Sequence, residues 1–274
     1  MGLRRIAIFP VRLLVLCLLV SFFAPVAVIS STLAFAASNP ITITSQTDTI
    51  HFPQSLDFQM SARDGTSTIT KAIIYIQYGY SVDGTFPTQR VAKLTPGHTV
   101  TVDWHENTTG TNFLPAGTSV SYYWLLYDNN GNSYTGQKQQ FHTIDTRFPW
   151  QHLTQGFLQV NWYNRPQDFG QNILGQASTA VTRISHTLGG GLKAPINLWV
   201  YQTDQDFHGS LSPDTHEWVG GIAFPTLEEA SIVVMDTSDE TLVRDMPHEL
   251  THLIFHQLIG EGSYPPTWFD EGLA

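Results

Sequence analysis

Residues 248–252 read His248-Glu249-Leu250-Thr251-His252, and residues 268–274 read Trp-Phe-Asp-Glu-Gly-Leu-Ala. The two histidines are four residues apart, so on a helix they lie on one face and can bind the same cation. Neutral imidazole is a good ligand for zinc, and Glu249 is placed to take a proton from a metal-activated water. Apolar residues around the motif recur at helical spacing, which predicts a helix from Thr241 to Ile259, with Asp245 as a candidate cap.

The short motif alone also occurs by chance on ordinary helices, and that is the competing interpretation. The 18 residues between His252 and Glu271 and the segment Trp268–Ala274 add specificity. Together the two motifs resemble the gluzincin metallopeptidases, especially their peptidase MA-like branch, over about residues 155–274. This resemblance implies that His248, His252 and Glu271 bind one Zn²⁺ and that Glu249 is the general base. Such a ligand set leaves a fourth position open for water, as a catalytic zinc requires.

The other zincin branch carries a glycine and a third histidine shortly after its motif, and here Phe255 and Leu258 occupy those positions. His256 follows His252 by one further turn. The outer two of His248, His252 and His256 are about 12 Å apart along a helix axis, too far for one zinc ion. We therefore predict that His256 is a polar neighbour or a core residue.

The segment Gly220–Phe224 lies where gluzincins place an edge strand that holds an extended substrate. An edge strand can pair with a peptide backbone, so we predict that Gly221, Ile222, Ala223 and Phe224 bind substrate. Zinc aminopeptidases carry a glutamate in this segment, and no acidic residue falls within it here. We therefore favour an endopeptidase; the alternative is that the glycines only form a turn.

The first 36 residues have the organisation of a secretory signal peptide. Three arginines up to Arg12 precede an apolar run, and Ala34-Phe35-Ala36 supplies a cleavage signal. The alternative is an uncleaved membrane anchor, which Pro25 and the cleavage signal argue against. We expect a secreted or extracytoplasmic protein, with a membrane as partner only if this segment stays attached.

The composition limits the chemistry and the partners. The only cysteine is Cys17 in the apolar run, so the mature chain has neither disulfides nor a catalytic thiol. Cleavage leaves 10 basic and 23 acidic residues, a formal charge of −13. That charge argues against nucleic acid and anionic membranes, and leaves a peptide or protein substrate as the expected partner.

Two regions differ in their periodicity. Short alternating segments separated by turns predict an all-β sandwich at residues 38–147, similar to fibronectin type III or immunoglobulin-like domains. The order strand, helix, three strands, helix predicts an α+β domain at residues 150–274, for which the resemblance implies a zincin-like fold. Its first helix is predicted over Gln167–Leu188, ended by Gly189-Gly190-Gly191, and Asp145–Trp150 is predicted to link the two domains.

Two details of the first region have alternatives. Asp128–Asn132 could be a calcium loop but lacks a distal glutamate, and the Asn-Gly turn favours a hairpin. Trp104 and Trp124 could form a sugar-binding platform, although core packing is the commoner role of strand tryptophans.

The sequence ends at Ala274, three residues after Glu271. We expect a truncated peptidase domain in which the helix carrying Glu271 is poorly supported, partners of the ligand histidines are missing, and proteolysis is weak. A non-catalytic extracellular binding or adhesion protein is the alternative function, which the intact Glu249 disfavours. A zinc hydrolase acting on a non-peptide amide is a third, weaker hypothesis.

Overall fold

The structure is a computed structural model that describes residues 40–79, 87–212, 220–236, 240–260, 262–263 and 265–274. The predicted signal peptide, with Cys17 and the cleavage signal, lies outside the described residues. None of the helices in the described ranges is both long and apolar enough to cross a membrane. Residues Asn39–Ala274 form one compact unit.

The described elements follow one another along the chain as strands first and mixed strands and helices afterwards. The strands are β1 (Ile41–His51), β2 (Ser55–Asp64), β3 (Ile69–Tyr78), β4 (Thr88–Ala92), β5 (Thr99–Asn107), β6 (Ser119–Asp128), β7 (Ser133–Thr135), β8 (Gln139–His142), β9 (Gln151–Gln155), β10 (Leu158–Trp162), β11 (Ile196–Tyr201), β12 (Gly221–Phe224) and β13 (Glu229–Val233). The helices are α1 (Gln167–Leu188), α2 (Asp204–His208), α3 (Asp245–Ile259) and α4 (Thr267–Leu273).

Strands β1–β8 pair antiparallel in two sheets, β1-β2-β5 and β4-β3-β6-β7, with β8 also paired to β6. Side chains from both sheets form one hydrophobic cluster, in which Phe58 and Trp124 are buried and Trp104 is partly buried. Core packing of the two tryptophans is thereby confirmed. Asp128–Asn132 joins β6 to β7, and the Asp128 carboxylate accepts backbone N–H groups of Asn130 and Asn132. The hairpin interpretation of this segment is confirmed as well.

The remaining five strands form a third sheet in the order β12-β13-β11-β10-β9. Its three central strands are parallel, and the two edge strands pair antiparallel. Helices α1 and α3 cover one face through a cluster that includes Ile173, Ile232, Leu250 and Leu253. The predicted bounds of α1 are confirmed, and Gly189 ends the helix with a φ of +73° that favours glycine.

One predicted boundary and one predicted cap were wrong. The helix predicted from Thr241 begins only at Asp245, because a short 3-10 turn at Glu240–Leu242 precedes α3. The capping position of α3 is Arg244 rather than Asp245, and it has no side-chain cap. The Asp245 carboxylate instead accepts hydrogen bonds from the Arg244 guanidinium. Pro247 is tolerated in the first turn because N–H groups there have no partner within the helix.

The face of this sheet that α1 and α3 do not cover contacts loops between the N-terminal strands and the segment Asp145–Trp150, which is predicted as a linker. Ala116, Trp199 and Tyr201 are buried in this contact, and Phe148 and Trp150 pack against them. The contact continues the fold across the predicted boundary, and the division into a sandwich domain and a peptidase domain stays a prediction.

Glu229 lies buried at this contact. Its carboxylate accepts hydrogen bonds from Trp199 Nε1 and Asn197 Nδ2, both at 2.8 Å. Burial raises the pKa of this carboxyl well above its ordinary value, and the two hydrogen bonds oppose that rise only in part. The sheet therefore contains a carboxyl group that stays protonated at a pH at which an exposed glutamate is ionised.

Candidate active site

The helix α3 places His248 and His252 one turn apart with their Nε2 atoms 3.2 Å from each other. The opposite side of α3 is apolar and packs into the sheet. The buried apolar residues on this side are Met246, Leu250, Leu253 and Ile254. The same amphipathic pattern that fixes the helix in the core therefore places both imidazoles on the side of α3 away from these apolar residues, with His248 partly exposed and His252 buried.

Helix α4 brings Glu271 to the same point. Its Oε2 atom lies 3.4 Å from His248 Nε2 and 3.8 Å from His252 Nε2. Tetrahedral zinc with bonds of about 2.0–2.2 Å needs ligand atoms about 3.3–3.6 Å apart. The three separations fall at or near this range, so the three residues that the sequence predicts as ligands fit one zinc ion. His248 and Glu271 are also partly exposed, which leaves access for a further ligand.

Asp270 orients two of the histidines. Its Oδ1 accepts a hydrogen bond from His252 Nδ1 at 2.9 Å, and its Oδ2 accepts one from His256 Nε2 at 2.8 Å. Burial raises the pKa of the Asp270 carboxyl, but hydrogen bonds from His256 and His252 outweigh it and bring the pKa below its ordinary value. With Nδ1 of His252 engaged by Asp270, Nε2 is the ring nitrogen left to bind a metal, and it lies 3.2 Å from His248 Nε2.

The sequence alone does not predict this role of Asp270, and one expectation is corrected by it, because a hydrogen-bonding partner of a ligand histidine is present. Asp270 also connects α4 to α3 through His252 and His256. Helix α4 nevertheless buries none of its residues and leaves Trp268 76% exposed, which agrees with the expectation of a poorly supported helix. His256 is the polar neighbour that the sequence predicts. The signal available in the sequence is an acidic residue directly before Glu271 together with a histidine one turn after His252.

Glu249 follows His248 on α3, lies against Gly221 of β12 and is 6% exposed. Burial raises the pKa of its carboxyl to about 8, the charges of Asp245 and Glu271 add to the rise, and the backbone N–H of Ala223 opposes it. A nearby metal cation acts in the opposite direction and favours the ionised form. A carboxylate of this kind can accept a proton from water and return it to a leaving group.

The strand β12 lies beside Glu249 at the edge of the sheet, with β13 as its one strand neighbour among the described residues. The Gly220 carbonyl accepts the Val233 N–H. By the alternation of an antiparallel ladder, the backbone groups of Gly221 and Ala223 then point away from β13. The four predicted substrate-binding residues therefore form an edge strand whose outer side faces no other strand among the described residues, with the Ala223 N–H on that side already engaged by Glu249.

Two glycines allow the close approach of β12 to α3. A Cβ atom on Gly220 would lie 2.7 Å from Asp245 Oδ2, and one on Gly221 would lie 3.0 Å from Glu249 Cγ. A side chain at either position would press on the residues that surround the metal position. The glycines therefore serve this contact, and Gly221 lies within β12 rather than in a turn, while Gly220 forms a bend directly before the strand.

Comparison with known families supports a peptidase-like region in this part of the chain. The family model described as the Peptidase MA superfamily matches residues 176–274, from the middle of α1 through α4. That range contains all four residues discussed above as metal ligands and base. No curated protein matches the chain.

Solved structures show only remote similarity. The sulfane dehydrogenase SoxCD of Paracoccus pantotrophus is 14% identical, with a TM-score of 0.23 over 34% of this chain and 22% of that chain. The vertebrate protein astrotactin-2 is 6% identical, with a TM-score of 0.28 over 52% of this chain and 25% of that chain. A carbohydrate-binding module of the muscle glycogen-targeting subunit of Protein Phosphatase-1 is 12% identical, with a TM-score of 0.23 over 37% of this chain and 78% of that chain. The chain spans a quarter or less of the first two proteins, and similarity at this level identifies neither a fold nor a function.

Proposed function

We propose that this protein is a zinc-dependent peptidase of the gluzincin type, with His248, His252 and Glu271 as ligands of one Zn²⁺ and Glu249 as general base. The observation that carries the proposal is the convergence of three ligand atoms at 3.2–3.8 Å beside a buried carboxylate. The match to the Peptidase MA superfamily over residues 176–274 supports the same function.

Each residue has a defined task in peptide hydrolysis. Bound zinc supplies Lewis acidity, which lowers the pKa of water and polarises the scissile carbonyl. Glu249 takes the proton of the attacking water on its carboxylate and delivers it to the amine that leaves. His252 is held by Asp270, so its ring does not have to reorient during the reaction.

The outer edge of β12 supports an extended peptide as the substrate and an endopeptidase rather than an aminopeptidase. The strand Gly221–Phe224 contains no acidic side chain that could bind a free amine. Two carboxylates near the strand in the described part of the chain are already engaged, since Glu228 accepts a hydrogen bond from Gln257 and Asp245 accepts one from Arg244. Substrate backbone bound along β12 would gain hydrogen bonds without selection for side chains.

The test compares wild-type protein with Glu249→Gln on an internally quenched peptide whose termini are blocked. Both proteins should hold equal zinc, and the variant should lose at least about 100-fold in kcat. Equal activity of the two proteins would exclude Glu249 as the base. Zinc binding without hydrolysis by either would point to the non-catalytic binding protein, and cleavage of amino-acid anilides alone would point to an aminopeptidase.

We also propose that the protein acts outside the cytoplasm. The basic start, apolar run and Ala34-Phe35-Ala36 support export and cleavage. N-terminal sequencing of the exported protein should give Ala37 as its first residue, and an intact Met1 on a membrane-bound protein would favour the anchor instead.

A further inference from the structure

The two faces of β12 contact different parts of the molecule. Gly221 and Ala223 face α3, where Gly221 is next to Glu249 and Ala223 packs against the helical layer. Ile222 and Phe224 face the other way and pack into the cluster between the sheet and the N-terminal strands. The strand is therefore held between the helix that carries Glu249 and the N-terminal β region.

The loop between β5 and β6 contacts the face of β12 that is turned away from α3. The rings of Phe113 and Phe224 lie 5.7 Å apart at an interplanar angle of 47°. Ala116 is buried in the same cluster. Gly79, at the end of β3, approaches the turn after β12 so closely that a Cβ atom there would lie 3.1 Å from the Thr226 carbonyl oxygen.

Gly117 extends this contact to the neighbouring strand, β13. A Cβ atom on Gly117 would lie 2.1 Å from the Glu229 carboxylate, and Glu229 is the residue of β13 that pairs with Phe224. The φ of Gly117 is +93°, a conformation that favours glycine. The loop backbone therefore lies directly on the strand pair formed by β12 and β13.

We propose that the loop at residues 113–117 positions β12 relative to Glu249, so that the N-terminal β region sets how a peptide backbone binds along the strand. A four-residue edge strand that begins at Gly221 has one strand neighbour among the described residues and little intrinsic rigidity. Packing of Phe113 on Phe224 supplies the missing constraint on its back. Phe113 is a positioning residue, because it lies on the face opposite Glu249 and acts through Phe224. This inference rests on the proposed function of β12.

The test uses two metal-directed inhibitors on the full zinc-loaded chain. Acetohydroxamate contacts the metal alone, whereas a tripeptide hydroxamate also lays its backbone along β12. Phe113→Ala should weaken the tripeptide hydroxamate by about tenfold, the loss of one to two backbone hydrogen bonds. It should leave acetohydroxamate unchanged within about twofold, since the metal ligands lie on other elements.

Phe141→Ala is the matched control, because Phe141 is also partly buried in the N-terminal region but contacts Phe58 and Tyr122 instead of β12. It should leave both affinities unchanged. Phe113→Leu replaces the alanine variant if that variant does not fold, and should show the same selective loss at smaller size. A uniform loss of both inhibitors, or no loss of either, would overturn the inference. If wild-type protein binds neither compound, the proposed function fails first; if it binds both and Phe113→Ala is unchanged, only this inference fails.

Discussion

Replacing Asp270 with alanine should weaken zinc binding without removing any ligand. In the structure the Asp270 carboxylate accepts a hydrogen bond from His252 Nδ1 at 2.9 Å, while His252 itself is 8% exposed. Without Asp270, the Nδ1–H group loses a charged acceptor and is poorly placed to regain one from water. The imidazole is then free to rotate, and its Nε2 no longer points at the metal position by default.

The size of the loss follows from that one hydrogen bond. A hydrogen bond to a charged group contributes about 1.5–3 kcal/mol, and loss of an outer partner of a ligand histidine lowers metal affinity by about 10- to 100-fold. We therefore expect the dissociation constant for zinc to rise by about 10- to 100-fold in Asp270→Ala. Asp270→Asn keeps an acceptor oxygen but not its charge, so its dissociation constant for zinc should lie between those of wild type and Asp270→Ala.

Competition of the metal-free protein with a chromophoric chelator measures these dissociation constants. Asp103→Ala is the matched control, since Asp103 is an exposed aspartate of β5 that bonds only to Gln59 among the contacts described. It removes the same charge far from the metal position and should leave the zinc affinity unchanged. An affinity of Asp270→Ala within about twofold of wild type would refute the orienting role of Asp270.

Two further changes test the packing around the site. Gly221→Ala should lower peptide hydrolysis by at least about tenfold while zinc is retained, because a Cβ atom there presses on Glu249 Cγ at 3.0 Å. The control is Gly175→Ala, at an open position of α1, which should keep full activity. Glu229 has a raised pKa in the folded state, so the unfolded state holds fewer protons and stability should fall as the pH rises above about 4.3. Urea unfolding between pH 4.5 and 7 measures the free energy of unfolding of both proteins. In wild type this free energy should fall with pH more steeply than in Glu229→Gln, by up to about 1.4 kcal/mol per pH unit. Parallel slopes for the two proteins would contradict the burial of a protonated carboxyl.

Local spacing predicts much of the C-terminal region. The apolar residues of Gln167–Leu188 recur every three or four positions, and that period alone fixes the helix and its buried face. The pair His248 and His252 needs only helical geometry to share a cation, so it too can be predicted from the sequence. Glu271 is predicted only through a family resemblance, because nothing local brings α4 to α3.

The unpredicted features depend on contacts between residues far apart in sequence. Asp270 is one of many acidic residues in the sequence, and only the crossing of α4 over α3 gives it His252 and His256 as partners. The contact of Phe113 with Phe224 joins residues of two regions with different periodicity, and no pattern within either region indicates it. The predicted start of α3 is wrong because a 3-10 turn continues the apolar pattern ahead of the helix.

Zinc X-ray absorption on the purified chain, loaded with one equivalent of metal and desalted, examines the ligand set itself. We predict four nitrogen and oxygen donors at about 2.0–2.2 Å, two of them imidazole, and the loss of one imidazole contribution in His252→Ala. A chain that retains no zinc after desalting, or a spectrum that His252→Ala leaves unchanged, would contradict a zinc centre built from His248, His252 and Glu271.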